Sequence, residues 1–366
     1  MYDTNIVQQP LRLLTPGPTR LSGQVRRVMS EESLYFGKYT DYFECYETCC
    51  NSIQHYFYCK KQVILLPFSA TIATEAMFSS CMTKKDSVLC ISNGFFGDQM
   101  YEIARIYANA ERVIFPPLQV ITAEVVEGIL LKKNNRFDYL TLVHGETTSG
   151  MKNDIVGVAK ICREYGIRLI VDIVSTAFAE KINLQDLNTF VAIGGSQKSL
   201  SAPAGYSFLI LDDLAMEKRE KSKLSYALDI HEWNRLEKQK DVVCSPSAHI
   251  FYAVCEAVKT LASPDERYNM HKACADFTVQ FVQELGLSLY LPKGKSIITV
   301  TAIQLPKGVS VDKVICKVRE STGILLAGSF GNVPRNLIRI GHMGENCVLE
   351  DIQNALQVIK QEVNEV

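Results

Sequence analysis

The stretch "DIVGVAKICREYGIRLIVDIV", residues 154 to 174, sets two different periodicities side by side. In its first half Ile155, Val158, Ala159 and Cys162 recur at i, i+3, i+4 and i+7, which places them on one face of an α-helix. Asp154 stands where a side chain would cap the first free N–H groups, and Gly166 where a residue tolerant of a left-handed backbone would stop the helix. The second half, "RLIVDIV" (168–174), is short, β-branched and apolar on both faces, as in a strand covered by layers on either side. The same alternation runs outward in both directions. "QVILLP" (62–67), "SVLCIS" (87–92), "RVIFPP" (112–117), "YLTLVHG" (139–145), "TFVAIGG" (189–195) and "YSFLIL" (206–211) have strand length and are separated by segments of helical period. This pattern predicts an α/β fold, a mostly parallel central sheet flanked by helices.

Beyond residue 213 the pattern changes. A charged stretch leads to "HIFYAVCEAVKTLAS", a long helix expected to open a second unit. Strands "SIITVTAIQLP", "GILLAGS" and "NLIRIG", the helix "SVDKVICKVRES" and a final amphipathic helix from about 349 follow. The expected division is an N-terminal segment (1–20), a large domain (21–254) and a smaller C-terminal α+β domain (255–366).

With 366 residues, 47% hydrophobic and 22% charged, and a net charge of -1, the chain carries no electrostatic footprint for nucleic acid or an anionic membrane. A small-molecule ligand is therefore expected. Four of the twelve cysteines, Cys45, Cys49, Cys50 and Cys59, fall within "CYETCCNSIQHYFYC". No paired C-x-x-C units accompany them, so they read as buried structural thiols rather than a metal or redox site. The opening "MYDTNIVQQPLRLL" holds no apolar stretch long enough for a signal peptide or a membrane span, and together these features suggest a cytoplasmic setting.

Ligands of open α/β sheets bind outside the carboxyl ends of the strands, so the polar residues just after the strands are the ones to collect. Ser69, Ala70 and Thr71 follow "VILLPF" at a strand-to-helix turn, where free N–H groups suit either an anion or an ordinary helix cap. "HGETTSG" (144–150) could position a ring hydroxyl or cap a turn. Asp172 interrupts an apolar strand, and burying its charge is costly unless a cation or strong donor meets it. Lys198, in "GGSQKSLSAPAG" (194–205), sits among small residues, free to act as an amine nucleophile or simply to be solvated. Taken in this order, an anion cradle, a buried carboxylate and a lysine match the needs of pyridoxal 5'-phosphate. The cradle would hold the phosphate, Asp172 would keep the pyridinium nitrogen protonated, and Lys198 would form the aldimine.

The motifs "LLTPGPT", "SNGFFG", "HGETTSG", "VDIVST", "GSQKSLSAPAG", "YALDI" and "LIRIGHMG" occur in the order of one family. Through them the chain resembles the class V branch of the fold-type I pyridoxal phosphate enzymes, alanine:glyoxylate, serine:pyruvate and 2-aminoethylphosphonate:pyruvate aminotransferases among them. The resemblance implies ping-pong transamination between a small amino donor and glyoxylate or pyruvate, in a homodimer with shared active sites. It makes Lys198 the Schiff-base lysine and proton carrier, and Asp172 the pyridinium partner. Val174 and Phe96 would cover the two faces of the ring. Thr147, or Thr148 one residue on, would stand near the ring hydroxyl or the substrate. Ser69 to Thr71 and Gln197 would hold the phosphate, and Arg339 the substrate carboxylate. Gly17, in "TPGPT", would lie at the substrate entrance. Two departures stand out: the cradle reads "PFSAT" where the family is richer in glycine, and a phosphate-binding tyrosine lent by the partner falls near Val242, leaving Ser245 as the cross-subunit hydroxyl. "CSPSAHIFYAV" and "VHGETTSG" lean toward the aminoethylphosphonate group. A cysteine desulfurase-like lyase is the second reading, although "GILLAGSFGNVPRNLIR" lacks the cysteine such a lyase needs. A third is a non-catalytic binding module.

Overall fold

The computed structural model describes residues 11–32, 34–218 and 224–365, so the first ten residues of the expected N-terminal segment lie outside it. The seven apolar runs form one sheet: β1 (Gln62–Leu66), β2 (Ser87–Ser92), β3 (Asn109–Ile114), β4 (Tyr139–Val143), β5 (Arg168–Asp172), β6 (Val191–Gly195) and β7 (Ser207–Leu211). Their spatial order is β1-β7-β6-β5-β4-β2-β3. β7 runs against its neighbours β1 and β6, and every other pair is parallel. Alternate residues feed cores on opposite faces. Leu169 and Val171 enter one and Ile170 the other, which is why the strand reads as continuously apolar.

β3 starts three residues earlier than its apolar run suggests and stops at Ile114, because Pro116 and Pro117 have no N–H for the ladder. As an edge strand it tolerates the polar start Asn109–Glu111. The helix Ile155–Glu164 is capped as expected: Gly157 N donates to Asp154 Oδ1 at 2.8 Å, and Gly166 beyond the other end has φ +69°.

A second sheet consists of β8 (Ser288–Leu289), β9 (Val300–Gln304), β10 (Ala327–Gly328) and β11 (Leu337–Gly341), ordered β8-β9-β11-β10 and antiparallel throughout. Helices Pro264–Glu284, Val311–Thr322 and Leu349–Asn364 cover it around a separate core. Leu14 is buried in that core, and Arg12–Leu13 pairs with Ile324–Leu325, so the N-terminal segment packs with the C-terminal layer. The helix Ala248–Lys259, expected to open the second unit, instead sends Phe251, Val254 and Val258 into the core of the first. Helix Tyr42–Tyr56 buries Cys49 and Cys50 in that same core as free thiols. Among the described residues no helix is long and apolar enough to cross a membrane.

Candidate active site

Because β2, β4, β5 and β6 are parallel and β1 points the same way, their carboxyl ends open on one edge of the sheet. The segments that leave them carry most of the residues singled out from sequence, from Ser69 to Lys198. β5 lies at the centre of this group, with Asp172 opposite Val143 of β4 and Ile193 of β6. Val174 N donates to Asp172 Oδ1 at 2.7 Å, and no hydrogen bond of the described residues involves Oδ2. Burial pushes this carboxyl up to about 6, an effect eased by the Val174 N–H and the charge of Lys198 and reinforced by Glu146.

Lys198, in the turn after β6, is buried, and its Nζ donates to Pro16 O. Burial first, and then the charge of Arg339, lower its pKa to about 8 against the pull of Asp172 and Glu146. The "TPGPT" segment lies across this side chain. Gly17 has φ +91°, and a Cβ there would sit 2.7 Å from Lys198 Cδ, so the approach requires glycine on both counts. Thr19 fastens the segment down, its Oγ1 donating to Lys198 O at 3.0 Å and its N to Gln197 O at 3.2 Å.

Arg339 projects from β11 of the second sheet and is buried. Its Nη1 donates to Thr147 O at 3.0 Å, and its Nε and Nη2 donate to Gly328 O at 3.0 and 2.7 Å. Three of its five N–H groups are thus committed to carbonyls, leaving two for an anion. Burial lowers its pKa to about 10 while Glu146 opposes the shift, so it stays charged at neutral pH. The two threonines of "HGETTSG" separate cleanly: Thr147 Oγ1 bonds to Ser175 Oγ, next to Val174, whereas Thr148 Oγ1 donates to Glu146 Oε1 at 2.7 Å.

Ser69 is the N-cap of helix Ala70–Cys81 but makes no side-chain cap bond, so its hydroxyl and the first N–H groups stay open to an anion. Ala70 is buried there, and Thr71 is exposed with its hydroxyl on Gln99 Oε1 at 3.3 Å. The buried Oε1 of Gln197 has no hydrogen-bond partner. Phe96, at the start of helix Phe95–Tyr107, packs edge-on against Phe330 at 6.2 Å. Ser245 follows none of these strands and is exposed in the segment before helix Ala248–Lys259. Three residues escaped the sequence reading: Ser175, Phe330 and Glu146. Glu146 is fully buried and accepts from Phe96 N at 3.0 Å, so it caps a helix fifty residues away in sequence. Among the described residues no group of three or more His, Cys, Asp or Glu is placed to hold a metal.

The sequence profile described as "Aminotransferase class-V" matches residues 46–320. The chain belongs to this family. It is 25% identical over 368 residues to alanine–glyoxylate aminotransferase of Mus musculus, covering 96% of this chain and 87% of the relative. It is also 25% identical over 362 residues to 2-aminoethylphosphonate–pyruvate transaminase of Phocaeicola vulgatus, covering 96% and 99%. The crystal structure of ureidoglycine–glyoxylate aminotransferase from Bacillus subtilis shares the fold, with a TM-score of 0.91 at 23% identity over 98% of this chain and 95% of that one.

Class-V aminotransferases depend on pyridoxal phosphate and exchange an amino group between an amino acid and a 2-oxo acid. The residues present fit that cofactor. An uncapped helix N-terminus suits a phosphate, the open Oδ2 of Asp172 suits a ring N–H, and Lys198 brings a buried amine.

Proposed function

We propose that this aminotransferase moves the amino group of a small donor, such as alanine or serine, to glyoxylate or pyruvate in two alternating half-reactions. The observation that carries the reading is the setting of Lys198, a buried amine of lowered pKa under the charges of a half-buried carboxylate, Asp172, and of a guanidinium, Arg339, with two uncommitted N–H groups. When bound, pyridoxal phosphate supplies an aldehyde carbon that takes up amines and a ring that withdraws electrons from the donor's α-carbon.

The chain's own residues do the rest. Lys198 would hold that carbon and, once the donor amine displaces it, carry the proton off the donor's α-carbon. Asp172 would hold a proton on the ring nitrogen. Phe96 and Val174 would cover the ring, Thr147 would stand by its hydroxyl, and Ser69, Ala70, Thr71 and Gln197 would hold the phosphate. Arg339 would fix the donor's carboxylate through its two free N–H groups, orienting the bond to be broken. Gly17 keeps the approach to Lys198 free of a side chain.

Ser245 is exposed on its own chain, which supports its serving the site of a second copy in a homodimer. In this reading the larger unit runs by packing to Lys259 rather than 254. Twelve free thiols suit a reducing, cytoplasmic setting. A 2-aminoethylphosphonate donor is the second reading, supported by the relative from Phocaeicola vulgatus that carries that name.

The test is the absorption spectrum of the protein with pyridoxal phosphate, before and after alanine, serine, aspartate, cysteine or 2-aminoethylphosphonate, with no acceptor present. A visible band that one donor converts to near-ultraviolet absorption supports transamination and names the donor class. Release of alanine from cysteine, with its sulfur left on the protein and freed as sulfide only when a thiol reductant is added, would replace it with a lyase. Lys198→Ala should show no turnover with any donor, and appreciable turnover would refute the assignment.

A further inference from the structure

The turn between β10 and β11 touches both halves of the site through one side chain, Phe330. The guanidinium of Arg339 lies over its ring, Cζ 4.9 Å from the centroid. The same ring meets those of Phe95 and Phe96 edge-on, at 5.0 and 6.2 Å. The turn is seated closely. Gly331 has φ +77°, a Cβ on it would lie 3.0 Å from Phe95 Cβ, and Ser329 Oγ donates to Pro334 O at 2.6 Å.

Phe330 therefore fills the space between the group that would grip the donor carboxylate and the ring that would cover the cofactor. A donor held at Arg339 would bring its side chain close to Phe330, the ring on which that guanidinium lies. Among the described residues Arg339 is the only cation stacked on these three rings. A second carboxylate would be stripped of water against phenyl faces with no partner, a phosphonate taking the place of the carboxylate at Arg339 would press its bulkier tetrahedral head on the Phe330 ring beneath the guanidinium, and a branched chain would meet Phe330 itself. We propose that Phe330 is a specificity-determining residue that confines the donor to amino acids with small, uncharged side chains. This rests on the transaminase reading above, with Arg339 as the carboxylate grip.

The test compares wild type, Phe330→Leu and Phe330→Ala, each loaded with pyridoxal phosphate, in single half-reactions with alanine, serine, leucine, aspartate and 2-aminoethylphosphonate. Wild type should favour alanine or serine over the other three by about 10-fold or more in kcat/KM. Phe330→Ala should raise the leucine-to-alanine ratio about 10-fold, with Phe330→Leu between, while the absorption band of the bound cofactor stays in place. Calorimetry with unreactive acids gives a readout independent of turnover: propionate should bind wild type more tightly than 4-methylpentanoate, and Phe330→Ala should close that gap. Preference of wild type for aspartate or 2-aminoethylphosphonate overturns the proposal. So do unchanged ratios in both variants and in calorimetry, even with alanine turning over normally. Failure of wild type to react with any donor refutes the transaminase reading itself, and this proposal with it.

Discussion

Lys198 carries a definite pH dependence in the proposed reading. An amine at its usual 10.5 is neutral in about one molecule in three thousand at pH 7, whereas at about 8 it is neutral in about one in ten. Only the neutral amine attacks an aldehyde, so capture of pyridoxal phosphate by the cofactor-free protein should speed up about 10-fold from pH 7 to pH 9 and then level off. Stopped-flow absorbance checks this, and a rate still climbing steeply above pH 9.5 would contradict the lowered pKa. Asp172→Asn keeps the shape but cannot hold a proton on a ring nitrogen. It should bind cofactor yet lose about 100-fold or more in kcat, read by comparing the bound absorption band with turnover. The placement of Asp172 and Lys198 at the carboxyl edge of the sheet was legible in the sequence, Asp172 because a carboxylate inside an apolar strand has few reasons to be there, and Lys198 only through its combination with Asp172 and the turn at Ser69. Glu146 and Phe330 were not. The first caps the start of a distant helix, and the second stands out only when its contacts with Arg339 and Phe96 are seen together.

At the scale of elements, the apolar runs located all seven strands of the large sheet, since burial on both faces leaves a continuous signal. Packing partners were less legible. Arg12 pairs with Ile324, and the face of helix Ala248–Lys259 suits either core until the sheet is assembled. The start of helix Phe95–Tyr107 offers a test of this long-range construction. Its N-cap, Gly94, has an extended φ of -176° that any residue adopts, so backbone strain is not why glycine stands there. The constraint is space, because a Cβ at Gly94 would lie 2.2 Å from Glu146 Cγ. Gly94→Ala should displace Glu146 and leave Phe96 N without its acceptor, costing about 1–3 kcal/mol in chemical denaturation. Glu146→Ala removes the clash along with the cap, so the double variant should cost clearly less than the sum of the two single ones. Strict additivity would show that the two residues do not share this space.

Over the whole molecule, the candidate site draws on both layers. Asp172 and Lys198 come from the large sheet, Arg339 from the small one, and Gly17 from a segment that packs with the small layer and lies across the lysine. The exposed Ser245 is what remains outside this construction, and a two-fold dimer would use it by offering each chain's serine to the other's phosphate site. Ser245→Glu, placing a negative charge against a phosphate, should then abolish cofactor binding in every homodimer. Lys198→Ala should be inactive for its own reason. Mixed and allowed to exchange subunits, the two inactive chains should form hybrids with one intact site, built from the Lys198 of one chain and the Ser245 of the other. At equal amounts about half the dimers are mixed, so the activity should recover to about a quarter of wild type. A serine acting within its own chain leaves every site in the mixture broken, and the absence of recovery, with hybrid dimers demonstrated by mass spectrometry, would rule out the shared site.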